Sequence, residues 1–155
     1  MTLIQELMNQ SSLNVFLEGG GMKRFAPAEI REAIQSLVAT EQINLAYALG
    51  DAGLAIYPNS EDMLAINGLL AIIRQDWVEA VELLTELMEF QGSAVQPFTY
   101  VMLVRALRCN LDPAAAMNVV RKGLEQYPNQ LELVAESLAL EEYAHAMTPT
   151  SALTQ

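Results

Sequence analysis

The sequence predicts an all-α chain made of repeated helix pairs, and three observations carry that expectation. Leu, Ala, Met and Glu are the prominent residues of the 155, and all four favour helix. Aromatic residues make up only 6%, and the β-branched and aromatic enrichment that marks strands is weak. Third, the segment Gly53-Leu54-Ala55-Ile56-Tyr57-Pro58-Asn59 returns seventy residues later as Gly123-Leu124-Glu125-Gln126-Tyr127-Pro128-Asn129, with five of seven letters identical.

The pattern places helices at 2–10, 27–39, 42–56, 61–74, 77–90, 97–109, 113–126 and 130–146. Residues 1–25 form an arm and connector containing Gly19-Gly20-Gly21. The first unit covers about 26–59, with Ala46 and Gly53 on its second helix and Pro58 stopping that helix. A proline does this because the residue before it is pushed out of the α region. Asn59-Ser60 then caps the next helix.

A second unit, about 60–96, is implied because seventy residues is twice a period near 35. Asp76-Trp77-Val78-Glu79-Ala80 reads as the turn between its two helices. Ala80 lies 34 residues after Ala46 and 36 before Ala116, and Ala46 and Ala116 each stand twelve residues before a proline. Glu79, Glu82, Glu86 and Glu89 form one solvated stripe, opposite Ala80, Leu83, Leu84, Leu87 and Met88. Large residues (Leu64, Trp77, Leu84) fill the gaps beside small ones (Gly68, Ala80, Ala116) that let helices approach closely.

The third unit, about 97–129, ends at Pro128, with Asn129 capping the last helix. That helix, 130–147, carries Glu132, Glu136, Glu141 and Glu142, suited to the polar outer face of a closing helix. Residues 148–155 read as a tail.

These residues resemble the tetratricopeptide repeat family over roughly Ala26 to Asn129. Leu64, Gly68, Trp77 and Ala80 fall at the family's large, small, aromatic and small positions; Ala46, Gly53 and Pro58, and Ala116, Gly123 and Pro128, match its second helix and exit turn. Asn67, Ala71 and Val104 depart from the pattern, so this is a degenerate version. The resemblance implies a right-handed solenoid of three helical hairpins with a C-terminal capping helix and an N-terminal helical arm. The family's inward positions would line a concave groove with Ala28, Arg31, Gln35 and Val38, then Asp62, Ala65, Leu69 and Ile72, then Phe98, Val101, Arg105 and Arg108. That groove is apolar in its middle with arginines toward both ends, and it suits an apolar polypeptide segment. The opposing reading packs Leu69 and Ile72 on neighbouring helices instead.

Eight Lys and Arg against nineteen Asp and Glu give a net charge of -11, which disfavours nucleic acid and anionic membrane as partners. The longest apolar run, Gly68 to Ile73, is far short of the roughly twenty residues that span a bilayer. The first ten residues carry Glu6 and lack the basic start of a secretory signal, so a cytoplasmic location is expected. Size, acidity, arm and repeats together resemble the tetratricopeptide-type chaperones of bacterial type III secretion. The Trp77–Ala80 turn followed by Leu83-Leu84 resembles a related plant-pathogen secretion family. The resemblance implies sequestration of an apolar segment of an exported client, as a homodimer or hetero-oligomer; a non-chaperone scaffold or regulatory adaptor is the alternative.

Catalysis is not expected. Leu17-Glu18-Gly19-Gly20-Gly21-Met22-Lys23 superficially resembles the oxyanion loop of patatin-like lipases, but the sequence has no G-x-S-x-G nucleophile elbow. The phosphate-loop spacing is missing as well. One histidine, His145, and one cysteine, Cys109, make no ordinary zinc site, and no cofactor is implied. His145 complements the end of the last helix, Cys109 reads as a small buried hydrophobe, and Trp77 as a packing residue.

Overall fold

The computed structural model describes residues 24–147, and among these every regular element is a helix. The seven α-helices are α1 (Pro27–Ala39), α2 (Ile43–Ile56), α3 (Glu61–Ile73), α4 (Trp77–Gln91), α5 (Pro97–Cys109), α6 (Pro113–Gln126) and α7 (Leu131–Met147), with one 3₁₀ turn at Gly92–Ala94. The seven helices expected after residue 26 are all present, with boundaries shifted by at most one residue. The expected helix at 2–10, the glycine-rich connector and the tail lie outside the described residues. Two compact units divide the chain, one ending at Phe90 and one beginning at Gln91.

One turn, used three times, joins the helices. Glu41, Gln75 and Leu111 have φ of 62°, 62° and 61°, and they stand 34 and 36 residues apart. Each follows the last helical turn and lets the chain fold back on itself in a Schellman motif. The amide of Gln42 donates to the Leu37 carbonyl (2.8 Å), that of Asp76 to Ala71 (2.9 Å) and that of Asp112 to Leu107 (2.9 Å). These bonds satisfy carbonyls that a helix end leaves open. None of the three left-handed residues is glycine, so each turn holds strain of about 1–2 kcal/mol. The residue after each starts the next helix: Asp76 Oδ1 accepts from the Glu79 amide (3.2 Å) and Asp112 Oδ1 from that of Ala115 (3.2 Å).

A second device closes the far end of a pair. Tyr57 and Tyr127 follow α2 and α6 and have nearly the same backbone, φ −123° ψ 66° and φ −130° ψ 71°. The Tyr57 hydroxyl donates to the Phe25 carbonyl (2.8 Å) and the Tyr127 hydroxyl to that of Val95 (2.7 Å), each reaching back 32 residues. The tyrosines of the recurring heptad therefore bind the end of one helix to the residue just ahead of its partner. Pro58 and Pro128 follow them as expected. Ser60 caps α3 by accepting from the Met63 amide (3.3 Å). The expected cap at Asn129 is corrected: Gln130 does that work, its Oε1 accepting from the amides of Glu132 (2.8 Å) and Leu133 (3.3 Å).

In the first unit α1 and α2 pack on each other and on α3. Ile30, Ile34, Leu37, Leu49, Met63, Ile66 and Leu70 make the core, with Leu69, Val38 and Ile43 half-buried against it. Nearly every side of α3 is covered, from Met63 through Gly68, as its apolar composition requires. Asn67, an unusual core residue, is buried but satisfied, donating to the Met63 carbonyl (2.9 Å). Trp77 is half-buried at the start of α4. In the second unit α5, α6 and α7 pack mutually around Leu103, Val104, Val120 and Leu133.

Two further expectations are corrected. Cys109 is exposed, because α5 ends there and turns Ala106 and Leu107 inward instead. The outer face of α7 is mixed rather than polar: Glu132, Glu141 and Glu142 are exposed as expected, but Leu131 is 81% and Leu138 56% exposed beside them, and Glu136 is buried at 7%. Glu136 faces inward because two arginines of α5 hold it there.

Small residues set the helix separations. A Cβ added at Gly68 would stand 2.7 Å from Leu84 Cδ2 and 2.9 Å from its Cγ, and Leu84 is fully buried with no room to withdraw. Overpacking of about 1–3 kcal/mol competes here with a helix-propensity gain of about 1 kcal/mol. Gly68→Ala is expected to lower stability by up to about 2 kcal/mol in urea unfolding. Its effect should be non-additive with Leu84→Ala, which opens the space that the new methyl needs.

Candidate functional site

The residues expected to line a groove belong to α1, α3 and α5, and they divide between the two units. In the first unit, Arg31 Nη1 lies 3.1 Å from Asp62 Oδ1, so these two side chains pair across α1 and α3. Ala65 is buried at 3%. Leu69 is half-buried against the core, Ile72 is half-buried, and Gln35 is exposed, as is Ala28. In the second unit Val101 is buried, whereas Phe98 is 36% exposed.

Arg105 and Arg108 form an ion cluster with α7. Arg105 Nε donates to Glu136 Oε1 (3.2 Å) and its Nη2 to Glu132 Oε2 (3.3 Å). Arg108 engages Glu136 through two nitrogens, Nε to Oε2 (3.0 Å) and Nη2 to Oε1 (3.2 Å). This is the bidentate fork that suits guanidinium to carboxylate. It lets a carboxylate sit inside the unit with both oxygens satisfied, while the arginines stay 40% and 45% exposed. The expected set therefore contains three ion-paired arginines, the Asp62 that pairs with one of them, the buried Ala65 and Val101, the exposed polar Gln35 and a partly exposed apolar remainder.

Position along the repeat does not mark the acidic partners, though a signal for them exists in the spacing. Arg31 precedes Asp62 by 31 residues and Arg105 precedes Glu136 by the same interval. In both places an arginine of a pair's first helix meets an acid on the helix that follows that pair. Glu79 also pairs, with Arg74, while Glu82, Glu86 and Glu89 stay exposed.

A cleft of about 270 Å³ lies beside the cluster, lined by Arg108, Leu111, Pro113, Ala139, Leu140 and Tyr143. Seventy residues earlier the positions of Ala139 and Tyr143 hold Leu69 and Ile73. The alanine thus removes the side chain that would occupy this space, a loss that becomes readable only once α3 and α7 are known to be equivalent. Leu111 at its rim is 88% exposed. Exposed His145 lies in the last turn of α7, as expected. Among the described residues no helix is long and apolar enough to cross a membrane.

No protein-family model matches the chain, and no curated protein matches it.

Tyr100 is the other polar group that the second unit draws in. Its hydroxyl donates to Gln126 Oε1 (3.0 Å) and its ring meets Tyr127 edge-on, with centroids 6.2 Å apart. Burial pushes its pKa above the ordinary 10.0, helped by Tyr127 and Glu125. The folded state thus holds this proton more tightly than the unfolded chain does, so the contribution to stability is whole below pH 10 and falls as pH rises through the folded value. Tyr100→Phe should remove that part of the alkaline loss, read as a shallower decline of the urea midpoint above pH 10. Glu136→Ala is expected to lower stability by about 1–2 kcal/mol in urea unfolding, since the freed arginines regain water at their exposed faces.

Proposed function

We propose that this chain is a non-catalytic protein-binding module of degenerate tetratricopeptide type, in which helical hairpins stack as a solenoid. The observation that carries this reading is the recurrence of one left-handed turn at Glu41, Gln75 and Leu111, in register with the 34- and 36-residue spacing of the small residues. A repeated hairpin buries its faces against its neighbours and leaves a run of first-helix side chains for a ligand. The surface available for that purpose is apolar and modest. On the first unit it comprises Ile72 and Leu69 beside the polar Gln35, and the second unit, taken by itself, offers Phe98, because the arginines are engaged with carboxylates.

The role that best suits an acidic module with such a surface is a cytoplasmic chaperone of bacterial type III secretion. It would cover an apolar segment of an exported client and prevent that client from aggregating. The net charge of -11 supports the reading by keeping the loaded complex soluble. The alternative role is a scaffold or regulatory adaptor that binds a folded partner.

Co-expression separates the two. With an aggregation-prone secretion subunit as client, the chain should raise the client's soluble yield by about tenfold, on the order of 1.4 kcal/mol of preferential binding. Ile72→Glu should return the yield to its baseline while the chain's own circular dichroism is unchanged. Binding without a change in client solubility would favour the adaptor; an undiminished effect of Ile72→Glu would remove this surface from the mechanism.

A further inference from the structure

The seventy-residue repeat makes α7 the counterpart of α3, and the comparison exposes a vacant side. On α3, the face made by Leu64, Gly68 and Ala71 is covered: Leu64 is 1% and Ala71 0% exposed, and Gly68 receives Leu84 of α4. The matching positions on α7 are Val134, Leu138 and Glu141. Val134 is half-buried, Leu138 is 56% exposed and Glu141 is exposed. The other two sides of α7 are engaged, Leu133 near Gly123 of α6 and Glu136 with the arginines of α5. Among the described residues nothing lies where α4 lies on α3.

We infer that this face of α7 takes an amphipathic helix of a basic partner protein, running antiparallel to α7 as α4 runs against α3. The fold itself supplies the shape of the occupant: α4 follows α3 through a three-residue turn that reverses the chain, and its Leu84 lies against Gly68 of α3. Two features set its chemistry. First, Leu138 stands where α3 has Gly68, so the bulk has moved across the interface. A helix presenting leucine at the Leu84 position would collide, and one presenting alanine or glycine there would seat. Second, the face changes character along α7. Leu131 and Leu138 make its first half apolar, whereas Glu141 and Glu142 make its second half acidic, and all four are exposed. An antiparallel helix brings its N-terminal turn to those carboxylates, where the helix dipole and lysine or arginine side chains both favour them. The surface is separate from the groove residues, so it serves a second partner whatever the groove holds.

The test uses the full chain and a labelled fifteen-residue peptide with the Trp77–Gln91 sequence bearing Leu84→Ala, Glu79→Lys and Glu82→Lys. Fluorescence anisotropy should show saturable binding, weakened by about tenfold or more in Leu138→Glu, as expected for a charge placed at the centre of an apolar contact. A peptide retaining Leu84 should bind about tenfold more weakly to the natural chain and regain affinity with Leu138→Ala, the signature of direct contact between the two positions. Absence of binding, or binding indifferent to both substitutions at Leu138, would overturn the inference. So would sedimentation showing that the natural chain pairs with itself and that Leu138→Glu makes it monomeric, because a second copy would then be the occupant.

Discussion

Each helix pair among the described residues depends on one residue held in a left-handed backbone conformation. Without Glu41, Gln75 and Leu111 at positive φ, each first helix would end with its carbonyls open and its successor would not fold back along it. The Schellman bonds to Leu37, Ala71 and Leu107 give the reversal its direction, and burial of the facing apolar stripes then holds it. Glycine would adopt this conformation at lower cost. That three other residues occupy it means that packing of the hairpins over-determines the turn.

Close approach is the companion constraint. Gly68 and Gly123 sit where a methyl group would meet Leu84 in one case and Leu133 and Tyr100 in the other. The two glycines hold different places in their pairs, one on a first helix and one on a second. Each nonetheless lets a large side chain press against bare backbone, the arrangement of close packing that makes interiors dense. The ion cluster of Arg105, Arg108, Glu132 and Glu136 plays a different part, fixing α7 against α5 by directional bonds rather than by apolar area.

Much of this architecture is legible in the sequence because its signals are local and repeated. The 34- and 36-residue spacing of Ala46, Ala80 and Ala116 gives the number of hairpins, and Pro58 and Pro128 give the helix ends. The hidden part depends on which neighbour a side chain meets. Glu136 reads as a solvated acid on a terminal helix, yet it is buried because Arg105 and Arg108 reach it from 31 and 28 residues away. Cys109 reads as core by its chemistry, but the helix ends at that residue and leaves it outside. Gln130 replaces Asn129 as a cap through a side chain longer than the usual capping residue. The groove set rests on position alone, and position does not reveal that Leu69 packs against a core or that three arginines have partners.

The hydroxyl bonds of Tyr57 and Tyr127 have a consequence for the order of events as the chain folds. Each closes a loop of 32 residues, and loop-closure entropy grows slowly with length, so a clasp of this reach is inexpensive to form early. A hairpin can therefore latch before its neighbours have arrived, and the search is divided into short independent steps. Chains dominated by such near-sequence contacts fold quickly, and a polypeptide emerging from the ribosome would complete its first pair while the last is still being made.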